Sequence, residues 1–226
     1  MNKEWLDFIN AEMKKDYMVS LKSFIDSERQ SNVVYPAANI TFNHMNLCPY
    51  ERLKVVIIGN APFCENVNDG LAFSAFGHIH PEDNKNIIYE AFRDYFKAWN
   101  NTSEIKNKLY PTGQLTEWAK QGVLLVNSIY TCTDKDRFAH RDKGWETFNE
   151  NLIEKLNDYH LPLVFINKCT IKDYTNKINP RKHLIINGND ANWCTKANDF
   201  IHKRNVPISQ QHCQLKINWM TKSIDV

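Results

Sequence analysis

KVVIIGNAPFC, residues 54–64, begins with four consecutive β-branched residues after Lys54, reaches a glycine and passes into a short turn carrying Pro62. An unbroken apolar run of this length reads as a strand covered on both faces, and Gly-x-x-Pro directly after it reads as a loop at the carboxyl edge of a parallel sheet, where ligands bind. Three further runs of the same kind lie at 123–126, 163–166 and 184–186. Between them, 82–99, 114–121 and 145–158 carry apolar residues at three- and four-residue intervals, the pattern of crossover helices. The spacing therefore predicts a three-layer α/β/α fold around a central four-stranded parallel sheet. Residues 4–27 predict two more helices, broken around Asp16 and Tyr17. Neither repeats nor a linker divide the chain, so residues 1–226 are expected to form a single domain, with the Asn-rich stretch 100–108 as a surface connection. The loops that would hold a site are 59–74, 127–145, 167–172 and 187–200.

Composition narrows the class. With 42% hydrophobic and 24% charged residues among 226, the chain can bury an ordinary core, which argues against disorder. It has no apolar run near the roughly 20 residues that span a bilayer, and MNKEWLDFINAEMKK is mixed in charge, so an intracellular, cytoplasmic protein is expected. Cys48, Cys64, Cys132, Cys169, Cys194 and Cys213 are widely spaced without metal-ligand clustering, so they read as reduced thiols; no metal and no cofactor are expected. A net charge of +2 neither requires nor excludes a nucleic-acid partner, because binding follows local clusters of Lys and Arg.

Six segments in order carry a more specific signal: SERQSNVVYP (27–36), KVVIIG (54–59), DGLAFS (69–74), EWAKQGVLLVNS (117–128), HRDKGWETF (140–148) and INWM (217–220). Together they resemble the family 1 uracil-DNA glycosylases from Trp5 to Met220, with one residue fewer in the loop after Ile58. The resemblance implies base flipping: a nucleotide is extruded from the helix and its base read in a tight pocket. It also implies electrostatic catalysis, in which an aspartate of a GQDPYHG loop stabilises the sugar cation and positions water while a histidine of an HPSP loop holds the uracil anion.

This chain departs from that pattern at both charged positions. GNAPFCE places Ala61 at the aspartate, Asn60 at the glutamine, Phe63 at the tyrosine that excludes thymine and Cys64 at the following histidine. In HLIINGNDANW (183–193), Asn189 falls at the catalytic histidine, Asp190 and Asn192 at prolines, and Trp193 at the leucine that wedges into the vacated stack. Losing one preorganised donor costs roughly 10²- to 10³-fold in rate, so several orders of magnitude are expected to be missing. Asn189 retains a neutral donor, and Asp190, Asp69 or His140 would be the candidates for a relocated acid. Cys64 reads as a plain thiol.

Recognition residues are better kept. Phe73 falls where the family stacks an aromatic on uracil, and Asn127 where an amide reads the base edge; alternatively Phe73 packs the core and Asn127 caps a strand. The implied base pocket is Asn60, Phe63, Phe73, Asn127 and Asn189. The DNA-gripping segments are eroded: YPAAN (35–39) keeps one proline of a pair, Cys169 stands for a glycine and Asn84 for a serine. His140, Lys143, Lys168, Thr170 and Lys196 read either as phosphate contacts or as solvated surface groups. The resulting expectation is an impaired glycosylase, a monomer with no membrane association, that acts by binding. Its partner would be uracil-containing or single-stranded DNA, or a protein such as a DNA-mimicking inhibitor or a replication component docked on an exposed Trp193 loop. The competing expectation is an active DNA glycosylase with altered base choice or a relocated acid.

Overall fold

A computed structural model describes residues 1–75, 113–204 and 206–219. The helix expected at 82–99, the connection at 100–108 and Asn84 lie outside the described residues. Helix α1 (Lys3–Glu12) starts where the Asn2 side chain accepts a hydrogen bond from the Trp5 amide at 3.2 Å, and it turns Trp5, Phe8 and Ile9 inward. Helix α2 (Asp16–Ser31) buries Met18 and Leu21. The break between them falls at residues 13–15, so Asp16 and Tyr17 begin the second helix rather than interrupt the first. Glu12 explains why: it is buried, accepts hydrogen bonds from the Tyr17 hydroxyl and from Asn151 Nδ2 at 2.9 Å, and pins the turn to a later helix.

The strands follow the apolar runs. β1 (Val34–Tyr35) pairs antiparallel with β4 (Cys132–Thr133), forming a small ribbon beside the main sheet. That sheet consists of β2 (Val55–Gly59), β3 (Val123–Asn127), β5 (Val164–Asn167) and β6 (Leu184–Asn187), all parallel and ordered β3-β2-β5-β6. Every residue of β2 and β3 is buried, which is why neither alternates with polar residues. In register, Gly59 lies beside Asn127, Ile58 beside Asn167, and Asn167 beside Asn187. Three asparagines thus end three strands at one edge. Asn167 and Asn187 accept backbone amides two residues on, at 3.1 and 2.9 Å, turning the chain out of the sheet.

Helices cover the sheet. α3 (Asn43–Leu47) and α4 (Thr116–Lys120) pack on β3, and α5 (Trp145–Asn157) packs against α2. α5 faces inward with Trp145, Phe148, Asn149, Leu152, Ile153 and Leu156, the predicted three-and-four spacing. α6 (Trp193–Lys203) packs on β5 and β6 through Trp193, Ala197 and Ile201. This is the three-layer α/β fold that the apolar runs imply. The fourth expected loop, 187–200, is much shorter than predicted: α6 occupies most of it, because those three apolar residues recur at four-residue steps and form a buried helical stripe. Among the described residues, no helix is long and apolar enough to cross a membrane.

Candidate functional site at the carboxyl edge of the sheet

The loop after β2 is fastened on three sides. Ser128 and Ile129 donate their amides to the Gly59 and Asn60 carbonyls at 2.8 and 2.9 Å, and Lys168 donates its amide to the Ile58 carbonyl at 2.9 Å. Asn60 uses both ends of its side-chain amide on one residue: Oδ1 accepts from the Thr170 amide at 2.7 Å and Nδ2 donates to Thr170 Oγ1 at 3.1 Å. Asn60 and Thr170 therefore join the loops after β2 and β5. In turn the Lys168 ammonium donates to the Gly188 carbonyl, joining the loops after β5 and β6. One chain of hydrogen bonds spans the edge.

Ala61 is 2% exposed, and its methyl belongs to the core. Its carbonyl accepts from Arg137, with Nε at 3.2 Å and Nη2 at 2.5 Å, while the same guanidinium lies 5.7 Å from the centre of the Phe63 ring. Arg137 has no signal in the sequence, since a basic residue in a polar loop is ordinary. Its place over Phe63 and its grip on Ala61 arise only from the fold.

Phe73 and Asn127 converge on Gly59. A Cβ built on Gly59 would stand 2.8 Å from Asn127 Oδ1 and 2.8 Å from the tip of the Phe73 ring, so the bare glycine lets both side chains approach the strand end. Phe73 has φ of +65°, a left-handed backbone that a bulky residue adopts only when its surroundings enforce it. The enforcement is visible. Asp69 accepts from the Leu71 amide at 3.2 Å and from the Ser74 hydroxyl, Ser74 Oγ accepts from the Leu115 amide at 2.9 Å, and the Ala72 amide donates to the Leu125 carbonyl at 3.1 Å. Asp69 is buried, and burial raises its pKa against the opposing bond from Ser74. The strand end is held by Asn149, whose Nδ2 donates to the Asn127 and Ser128 carbonyls at 2.9 and 3.0 Å. The Asn127 side-chain oxygen and the Phe73 ring tip thus both crowd the same side of Gly59.

Beside Asn127 lies a small, partly open hollow of about 10 Å³, bordered by His44, Asn68, Asn127 and Tyr130. Its size is on the order of one water molecule, and Phe73 does not line it, so it is distinct from the space beside Phe73. His44 is wholly buried, its Nε2 has no hydrogen-bond partner, and its ring meets Tyr130 edge-on at 4.8 Å. Burial lowers the His44 pKa to about 3, with a backbone bond at Gly70 acting the other way, so the imidazole is neutral. The sequence reading missed His44; a histidine within a short helix carries no mark of such a position.

Asn189 is exposed on the loop after β6 and gives its backbone amide to Asn187 Oδ1 at 2.9 Å. It borders an open cleft of about 490 Å³ together with Lys168, Thr170, Asn187 and Asp173. Asp190 is tied to Lys196, which with the Asn192 amide holds its carboxyl below the usual range.

Two surface expectations need correction. Trp193 is not on an exposed loop: it is 1% exposed, opens α6, and meets the Trp118 and Trp219 rings at 6.3 and 5.0 Å. It cannot wedge into a base stack without unpacking that cluster. His140 is fully buried, with Nδ1 2.7 Å from Thr131 Oγ1 and Nε2 3.6 Å from Glu28, which excludes a phosphate contact. Burial lowers its pKa, opposed by Glu28. Lys143 and Lys196 are exposed, the first 5.1 Å from the Phe24 ring. Lys168 is turned toward Gly188 and over Trp193 at 5.8 Å. Among the described residues no group of three or more His, Cys, Asp and Glu side chains could hold a metal.

Comparison with known proteins agrees with this architecture, although no family model matches the chain. A uracil-DNA glycosylase of Oceanobacillus iheyensis is 32% identical over 218 residues, covering 90% of this chain and 91% of the relative. Uracil-DNA glycosylase 1 of Listeria innocua is 34% identical over 221 residues, covering 96% of this chain and 95% of the relative. Among solved structures, mimivirus uracil-DNA glycosylase superposes with a TM-score of 0.66 at 26% identity, covering 83% of this chain and 67% of the other. A variant of mimivirus UNG in complex with UGI superposes with a TM-score of 0.67, also at 26% identity, covering 83% of this chain and 69% of the other. On sequence identity over nearly its whole length and on shared architecture, this chain belongs to the uracil-DNA glycosylase family.

Proposed function

We propose that this chain is a family member impaired in cleavage that acts by binding uracil-containing or single-stranded DNA, reading a base with Phe73 and Asn127. One observation carries the proposal: the residue after Asn60 is a buried alanine whose backbone is locked by Arg137, so a methyl stands where the resemblance calls for a carboxylate. A methyl neither stabilises a developing cation nor orients water, and Asn189 supplies no charge for the anion. The candidate substitute acids support the same reading, since Asp69 is committed to Ser74 and the Leu71 amide, Asp190 to Lys196, and His140 is buried. Phe63, which retains aromatic bulk beside Arg137, and Asn60, which is engaged with Thr170, frame the pocket rather than perform chemistry.

The test is incubation of the protein in excess with single- and double-stranded uracil-containing DNA, followed by alkaline cleavage at abasic sites. Product no greater than with boiled protein is expected, together with a salt-sensitive gel shift; strand cleavage well above the boiled sample would establish an active glycosylase instead. The pair Ala61→Asp and Asn189→His is expected to raise cleavage by roughly 10²-fold or more over the unmodified chain. Absence of any gel shift at low salt would move the reading to a protein ligand on the same edge, a role supported by the mimivirus UNG structure in complex with UGI.

A further inference from the structure

We propose that Cys64 and Cys132 form a redox latch: hydrogen peroxide converts the two thiols into a disulfide that locks the loop carrying Ala61 and Phe63 onto β4. This does not depend on the binding role proposed above.

The geometry sets the Cys132 sulfur against the backbone that carries Cys64. Cys132, fully buried in β4, places its sulfur 3.7 Å from the Phe63 carbonyl and 3.9 Å from the Pro62 carbonyl, against the backbone leading into Cys64. The Phe63 carbonyl belongs to the peptide bond that enters Cys64, so the Cys132 sulfur lies beside the Cys64 backbone, and the Cys64 thiol is near enough to raise the Cys132 pKa. From a sulfur this close to the backbone of the neighbouring residue, disulfide distance is reached by side-chain rotation and a small loop adjustment. The two elements are also independently anchored. Cys132 is registered against Tyr35 in the β1–β4 ribbon, and the Ala61 carbonyl is held by Arg137.

The two thiols have different environments, which assigns their order. Cys64 is partly exposed and meets the oxidant first, whereas Cys132 is sealed from solvent. Burial raises the Cys132 pKa, the neighbouring Cys64 thiol adds to this, and nearby Arg137 opposes both. In the first step the Cys64 thiolate attacks one peroxide oxygen and the O–O bond breaks; hydroxide leaves and takes up a proton as water, giving the sulfenic acid. In the second, the Cys132 sulfur attacks Cys64 sulfur, the S–O bond breaks, and the departing hydroxide takes the Cys132 proton as a second water. Two thiols lose two protons and two electrons, and one peroxide takes them up to become two waters. A dithiol reductant reverses the change by thiol–disulfide exchange.

The test uses the full chain, reduced, desalted and exposed to hydrogen peroxide, then denatured and treated with a maleimide. Expected are a mass loss of two hydrogens, two fewer maleimides than in the reduced protein, a Cys64–Cys132 linked peptide in a non-reducing digest, and reversal by dithiothreitol. Cys64→Ser and Cys132→Ser should each abolish the linked peptide. Labelling of all six cysteines after oxidant, accumulation of Cys64 sulfinic acid with Cys132 still free, or a link from Cys64 to Cys169 would overturn the pair. Hydrogen exchange checks the latch: amides of residues 60–68 should exchange at least tenfold more slowly in the oxidised protein, and unchanged exchange would overturn it.

Discussion

Gly59 decides how near Phe73 and Asn127 come to the strand end, and a single methyl group there tests the pocket. The methyl of Gly59→Ala would overlap both side chains at 2.8 Å, and the strained Phe73 backbone leaves the ring little freedom to retreat. Overpacking of this kind should cost about 1–3 kcal/mol, measured by urea denaturation, and should abolish any protection of the protein by free uracil. Unchanged stability would mean that the pair moves freely and is not preorganised. The residue scale is also where sequence reading was most uneven. The proximity of Phe73 and Asn127 at Gly59 agrees with the collinear pattern that pairs them, and Ala61 is read from that pattern alone. Arg137 and His44 were not legible, because what distinguishes them is which backbone and which rings they meet.

At the scale of elements, α3 and α6 hold the clearest consequences. His44, in α3, has a folded pKa of about 3 against an ordinary value near 6.5, so below pH 6.5 the unfolded chain takes up a proton that the folded chain refuses. The stability linked to His44 is thus complete above pH 6.5 and falls as the pH drops toward 3. Between pH 7 and pH 5, His44→Gln should shrink the loss of unfolding free energy by about 2 kcal/mol relative to the unmodified chain, read from denaturation curves at each pH. His140 and His183 are also lowered by burial and act in the same direction, but they remain in both proteins and cancel in the comparison. In α6, Trp193→Ala should cost about 3–5 kcal/mol because it empties the centre of a three-tryptophan cluster. Trp193→Phe should cost less than about 1.5 kcal/mol, since it keeps most of the volume and removes a buried indole N–H that has no partner. Equal losses would argue against packing as the role of Trp193. The helix itself was hidden by its setting, with only four-residue steps of Trp193, Ala197 and Ile201 among polar residues that otherwise read as loop.

Across the whole molecule, the carboxyl edge is a linked surface whose basic groups are mostly occupied. Lys168 is engaged by Gly188 and Lys196 by Asp190, whereas Lys143 extends over Phe24 with an exposed side chain. If DNA lies on this edge, Lys143→Ala should reduce the slope of log affinity against log salt by about 0.9, the contribution of one phosphate contact on duplex DNA. Lys168→Ala and Lys196→Ala should each change it by less than about half that amount. Fluorescence anisotropy between 50 and 200 mM salt, about the range over which such slopes are read, provides the check. A full phosphate's worth of slope lost at Lys168 would show that its bond to Gly188 opens on binding.

The amino-acid sequence by itself determined the parallel sheet, its four strands to within a residue or two, and the family, because unbroken apolar runs and collinear motifs are local records of burial. Through the resemblance it also places Ala61 and Asn189 where the family's aspartate and histidine are expected. Only the tertiary structure decided what surrounds them: that Ala61 is locked by Arg137, that Asn60 is taken by Thr170, that Trp193 and His140 are interior, and that Cys132 lies against the backbone entering Cys64. Each of these depends on residues far apart in the chain meeting at one edge of the sheet. Burial and partnership at that range follow from the folded packing, which no local pattern encodes.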